Sequence, residues 1–117
     1  MILEIIIADV LKKIGCPVHL NGQRALRKLI VMVMERKGQK INFGQLYKEL
    51  KLENEFFSNE RVIRYAIEHI YKYGNTQYIQ KIFGKNPNRK KEGLGVSYFV
   101  LTIADYIELC QRYNKEI

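Results

Sequence analysis

The sequence predicts an all-α fold: six helices in a single domain over residues 1–117, with a helix-turn-helix at about 43–73. Two observations predict it. Apolar residues recur at i, i+3, i+4 and i+7 along most of the chain, the spacing of one helix face, and no stretch holds the period of a strand. Breakers, among them Gly15, Pro17, Gly74 and Gly84, then separate the periodic segments.

The first helix carries Leu3, Ile6, Ile7, Val10, Leu11 and Ile14 at helical spacing. No basic residue precedes this run, Glu4 and Asp9 interrupt it, and no small-residue cleavage site follows. It therefore reads as a packed amphipathic helix and not as a signal peptide. "GCPVHLNG" connects it to a second helix over 23–36, with Asn21 as the expected cap and Leu26, Leu29, Ile30, Val33 and Met34 facing inward. Asn42 and Gln45 have the spacing of a weak capping box for a short third helix over 43–50, whose apolar face is Phe43, Leu46, Tyr47 and Leu50. The fourth helix lies in "SNERVIRYAIEHIYKYGN". Ser58 or Asn59 can cap it, Glu60 suits the positive end of the helix dipole, and Gly74 stops it. A fifth helix over 76–83 ends at Gly84. "KNPNRKKEGLG" reads as an exposed basic loop, and the last helix runs over 96–112.

The net charge is +8, from 20 Lys and Arg against 12 Asp and Glu. Such a field attracts polyanions: DNA, RNA or an anionic membrane surface. No segment reaches the roughly 20 apolar residues of a membrane span, so no transmembrane helix is expected, and no membrane partner is expected. Cys16 and Cys110 stand far apart without a CxxC motif and are expected as free thiols of a cytoplasmic protein. Together with His19 and His69 they offer no pair at metal-ligand spacing, so neither metal nor cofactor is expected. There is no GxxxxGK phosphate loop, no nucleophile elbow and no carboxylate pair in a cleft-like context. An enzyme with a small-molecule substrate is accordingly not expected. Tyr71, Tyr73 and Tyr78 read as half-buried packing with the hydroxyl at the surface. The tyrosines do not cluster on one element, as a stacking platform for single strands would require.

The fourth helix has two unlike faces. At 100° per residue, Glu60, Arg61, Arg64, Tyr65, Glu68 and Lys72 occupy one arc of about 140°. Ile63, Ala66, Ile67 and Ile70 lie opposite. With the short helix before it, this makes a helix-turn-helix whose second helix enters the major groove by its N-terminal turns. Glu60, Arg61 and Arg64 are at that depth. Arginine binds guanine O6 and N7 through two hydrogen bonds, and glutamate accepts from cytosine N4. Lys72, near the far end, is placed for phosphate, and Arg89, Lys90 and Lys91 of the basic loop for further backbone contacts. Mixed charges at this spacing also make an ordinary solvated face, with Glu60 and Arg64, or Glu68 and Lys72, as i,i+4 pairs.

Four blocks decide between these readings by resemblance. "IGCPVHLNGQRALRKLI" is similar to the pattern IGxPxHxxGxxxLRxxI, "ERVIRYAIEHIYKYGN" to ER-x-IR-x-AIE…GN, and "IQKIFG" and "SYFVLTIAD" to two later helices of the same family. The chain thereby resembles the C-terminal DNA-binding effector domain of the sporulation master regulator, the stage zero sporulation protein A family. The resemblance implies a transcriptional regulator that binds double-stranded DNA sequence-specifically. It places base reading on Glu60, Arg61 and Arg64 and the edge of the contact on Tyr65, where the family often has histidine. Some positions depart from the family. The turn "KLENEFFSN" is about two residues longer. Phe57 and Ser58 replace a serine and an arginine, and Leu94, Gly95 and Val96 replace Pro-Thr-Asn while the loop before them gains "RKK".

The resemblance further implies a head-to-tail homodimer on tandem DNA sites, weak without DNA, formed by the later helices. Ile79, Phe83, Phe99, Ile103 and Ile107 supply apolar material there, part of it needed for the core. No phosphoryl-accepting receiver domain is expected within residues 1–117, and the chain reads either as a stand-alone paralogue or as the effector part of a longer regulator. A protein-interaction module that modulates the full-length regulator or its partners without reading DNA is the alternative function.

Overall fold

The computed structural model describes residues 2–17, 20–50, 59–84 and 95–117, apart from the side chains of Asn21 and Asn59. They form α1 (Ile2–Ile14), α2 (Asn21–Glu35), α3 (Phe43–Glu49), α4 (Asn59–Tyr73), α5 (Thr76–Phe83) and α6 (Val96–Arg112). Among the described residues there is no strand. The expected six helices are present in the expected order.

α2 is the centre of the fold because it is apolar over a wide stripe. Ala25, Leu26, Leu29 and Ile30 are fully enclosed and Val33 nearly so, while α1, α3, α4 and α6 pack around them. Each long neighbour contributes a matching stripe: Ile7, Val10, Leu11 and Ile14 from α1; Ile63, Ala66, Ile67 and Ile70 from α4; Phe99, Val100, Ile103 and Ile107 from α6. Burying one such Ile, Leu or Phe side chain contributes about 1.5–3 kcal/mol. These facing stripes hold helices of this length, which are marginal in isolation.

Local chemistry sets the helix ends. Asn42 Oδ1 accepts from the Gln45 backbone N–H at 3.1 Å, as the capping pattern predicts, and Asn75 Oδ1 accepts likewise from Tyr78 N–H at 3.1 Å. Gly84 closes α5 in the left-handed region at φ 80°. Asn21 departs from its expected role: α2 begins at Asn21 itself, with Leu20 at the cap position and no side-chain capping bond. The expected cap at Ser58 lies outside the described residues.

Two helix contacts depend on missing side chains. Gly22, in the first turn of α2, lies so close to α4 that a Cβ there would sit 2.4 Å from the Val62 carbonyl oxygen and 2.7 Å from Ala66 Cβ. At the other end of α4, Gly15 (φ 100°) meets Gly74, and a Cβ on Gly15 would lie 2.5 Å from Gly74 Cα. The adjoining Asn75 N–H donates to the Ile14 carbonyl oxygen at 3.0 Å, joining the ends of α1 and α4 through the main chain.

An aromatic cluster ties α4, α5 and α6. Phe83 stands 5.5 Å from Phe99 and 6.1 Å from Tyr71 between ring centroids, and Tyr71 and Phe99 meet edge-on at 5.9 Å. This corrects the expected tyrosine placement. Tyr71 is buried with its hydroxyl closed to solvent, and that burial pushes its phenol well above the ordinary range. Tyr73 is instead largely exposed. Cys16 and Cys110 are free and buried, as predicted from their separation, and desolvation pushes the Cys16 thiol up to about 11.

Candidate nucleic-acid interface

The division of α4 into two faces follows from its sequence period. Because Ile63, Ala66, Ile67 and Ile70 are drawn onto α2, the residues a half-turn away are turned out. Arg61, Arg64, Tyr65, Glu68 and Lys72 are all exposed and Glu60 is partly exposed. Tyr65 keeps 61 % of its surface accessible, unusual for a ring with a core beside it. The six residues predicted on this helix are therefore brought onto one face. Arg89, Lys90 and Lys91 lie outside the described residues.

The face has internal structure. Glu60 and Arg64, one helical turn apart, form an ion pair between Oε1 and Nη2. Pairs of this spacing on an exposed helix contribute about 0.2–0.5 kcal/mol, too little to explain a helix but enough to orient two side chains. Glu60 also lies in the first turn of α4, where the helix dipole favours an acid. Farther along, the Lys72 ammonium stands 5.4 Å from the centre of the Tyr73 ring, and that ring leans on His69 at 5.1 Å.

Periodicity does not single out Tyr47 or Tyr73 for this region. It places Tyr47 on the apolar side of α3, and the residue is half-buried, with its ring 6.4 Å from that of Phe43. Its phenol is raised above the ordinary range by desolvation first and then by the negative charge of Glu60, with Arg64 acting in the opposite direction. Glu60 and Arg64 belong to another helix, so no local spacing announces it. Among the described residues no group of three His, Cys, Asp or Glu side chains is placed to hold a metal ion.

The sequence model of the family described as "Sporulation initiation factor Spo0A C terminal" matches residues 7–107. The chain belongs to that family. The match begins within α1, includes α2 to α5 entirely and ends within α6. The Spo0A C-terminal family is the DNA-binding effector domain of a sporulation regulator, so at that level the protein is a DNA-binding domain of transcription regulation and not a member of an enzyme family. No helix among the described residues is long and apolar enough to cross a membrane.

Proposed function

We propose that this domain binds double-stranded DNA sequence-specifically, with α4 in the major groove. The observation that carries the reading is the placing of Arg61 and Arg64 on the exposed face at the N-terminal half of a helix whose opposite face is buried. Two arginines there suit guanine, Glu60 suits cytosine N4, and Tyr65 and Glu68 border the contact. Lys72 is the backbone contact at the far end. Competition binding tests this: a specific duplex should displace the bound probe far better than bulk DNA or RNA. Equal displacement by any polyanion would leave only attraction to the net charge of +8.

The basic loop belongs to the same proposal. Charge reversal of Arg89, Lys90 and Lys91 should weaken specific and nonspecific binding alike. The slope of log K against log salt should fall by about 0.9 for every phosphate that the altered loop no longer neutralises. A slope unchanged by the substitutions returns the loop to solvated surface.

One recognition helix reads few base pairs, so two copies on tandem half-sites are the natural unit. Of the apolar residues of α5 and α6, Ile79, Phe99, Ile103 and Ile107 are consumed by the monomer's own core. Tyr98, Leu101 and Leu109 remain exposed and form the outward surface for a head-to-tail contact. The expected result in sedimentation is a monomer at micromolar concentration that becomes two copies on a tandem duplex. Leu101→Glu should remove the cooperative gain while leaving single-site binding intact. A tight dimer in the absence of DNA that covers Arg61 and Arg64 would instead favour an interaction module.

A further inference from the structure

We propose that Tyr73, the last residue of α4, is a positioning residue for DNA binding: its ring carries the Lys72 ammonium and directs it to the phosphate backbone beside the groove. The inference rests on the reading of α4 as the DNA-facing helix with Lys72 at its backbone end, and it adds a residue from outside the reading face.

Three side chains meet at this end of the helix. The Lys72 ammonium stands 5.4 Å from the centre of the Tyr73 ring. The imidazole of His69 meets the same ring at 5.1 Å between centroids, tilted by 50°. Glu68, one turn before Lys72, is the acid that an i,i+4 pair would use. Among the described residues, however, the ion pairs include Glu60 with Arg64 and not Glu68 with Lys72. Lys72 is turned to the ring instead. Core packing does not account for the tyrosine, because 67 % of its surface is exposed. Its main chain is nonetheless fixed. Gly74 N–H donates to the Ile70 carbonyl oxygen at 2.7 Å and Asn75 N–H to that of Ile14 at 3.0 Å, tying the end of α4 into its own helix and to α1.

The consequence for binding lies in the direction of the lysine. Tyr73 sits about 100° further round the helix than Lys72, on the side of His69 and outside the arc that holds Glu60, Arg61 and Arg64. A lysine drawn that way leans from the reading face toward its flank. With α4 in the major groove, base edges face the arc and phosphates line the flank. An untethered lysine stem samples many rotamers and gives up that freedom on meeting a phosphate. Contact with the ring removes part of that cost beforehand, and the ammonium keeps outward N–H donors for the anion. Tyr73 thus raises affinity without choosing a sequence and without adding charge.

The test compares affinities of the whole chain for a selected duplex and for bulk duplex over a series of salt concentrations. Tyr73→Ala should weaken both about threefold, the size of an exposed cation–π contact. The slope of log K against log salt should stay unchanged, since Lys72 still reaches its phosphate. Tyr73→Phe keeps the ring and should bind as the parent does. Both variants should keep the parent's helix content by circular dichroism, so that binding is read on folded protein. Lys72→Ala should lower the slope by about 0.9, and in that background Tyr73→Ala should have no further effect. A signal independent of DNA is the Lys72 ε-methylene proton resonance. The ring should displace it upfield in the parent and in Tyr73→Phe, and it should return to its ordinary position in Tyr73→Ala. A loss confined to the selected duplex, an equal loss in Tyr73→Phe, a loss that persists without Lys72, or an undisplaced resonance in the parent each overturns the inference. Lys72→Ala also serves as the separate control. If it leaves affinity and slope unchanged, Lys72 is not on the backbone and the underlying assignment fails; if only Tyr73→Ala is silent, the positioning role alone fails.

Discussion

Gly22→Ala should destabilise the protein by about 2 kcal/mol, although alanine is ordinarily the better helix former by about 1 kcal/mol. The sign reverses because the new Cβ would press on the Val62 carbonyl oxygen at 2.4 Å and on Ala66 at 2.7 Å. A side chain can swing aside, but a helix backbone cannot, so α2 and α4 must separate along a contact that buries Ile63 and Ile67. Chemical denaturation gives the stability change, and DNA titration on the same sample gives the accompanying loss of binding. Ala66→Gly should rescue only part of the effect, since it relieves the methyl clash and leaves the carbonyl. A Gly22→Ala protein as stable as the parent would show that the two helices are not held so close.

Arg61→Ala and Arg64→Ala should each weaken binding to the specific duplex by about 1–3 kcal/mol and relax the preference at one guanine position. Neither should alter the melting temperature appreciably, because both side chains lie on the exposed face of α4. Lys72→Ala provides the contrast: with Lys72 on the phosphate backbone as proposed, its removal should weaken binding to every sequence alike. Glu60→Ala should change base preference more than overall affinity, since removing an acid also reduces repulsion from DNA. Quantitative binding to a panel of single-base variants separates these outcomes. Uniform weakening by the arginine substitutions would assign them to the phosphate backbone.

The helices are legible in the sequence because their signals are local. A stripe such as Ile63, Ala66, Ile67 and Ile70 states its own period, and the outward arc of α4 follows as its complement. Caps are legible where one side chain decides, as at Asn42, and fail at Asn21, where the helix begins one residue earlier than a capping residue would allow. What stays hidden is tertiary. Nothing in the spacing of Tyr71 distinguishes a buried hydroxyl from a surface one; the difference comes from Phe83 and Phe99, which arrive from other helices. Gly22 reads as part of a connection, yet its absent side chain sets the distance between α2 and α4. Tyr47 counts as apolar material of α3, and the charges that act on its phenol, Glu60 and Arg64, belong to α4.

With α4 as the proposed reading helix, the glycine contacts at its two ends bear on how the domain meets DNA. One is made at Gly22 against the first half of the helix, the other at Gly74 against Gly15 where it finishes, and both involve main-chain atoms. Rolling or sliding α4 closer to α2 or to the end of α1 presses main chain on main chain at these points, which resists adjustment to a duplex. The ordering entropy that a loosely held reader surrenders on association has here already been spent during folding. Adaptation to an imperfect operator must then come from the duplex, through bending or groove widening, and its cost varies with the flexibility of base steps the protein never touches. Tolerance for variant sites should accordingly track how easily each sequence deforms.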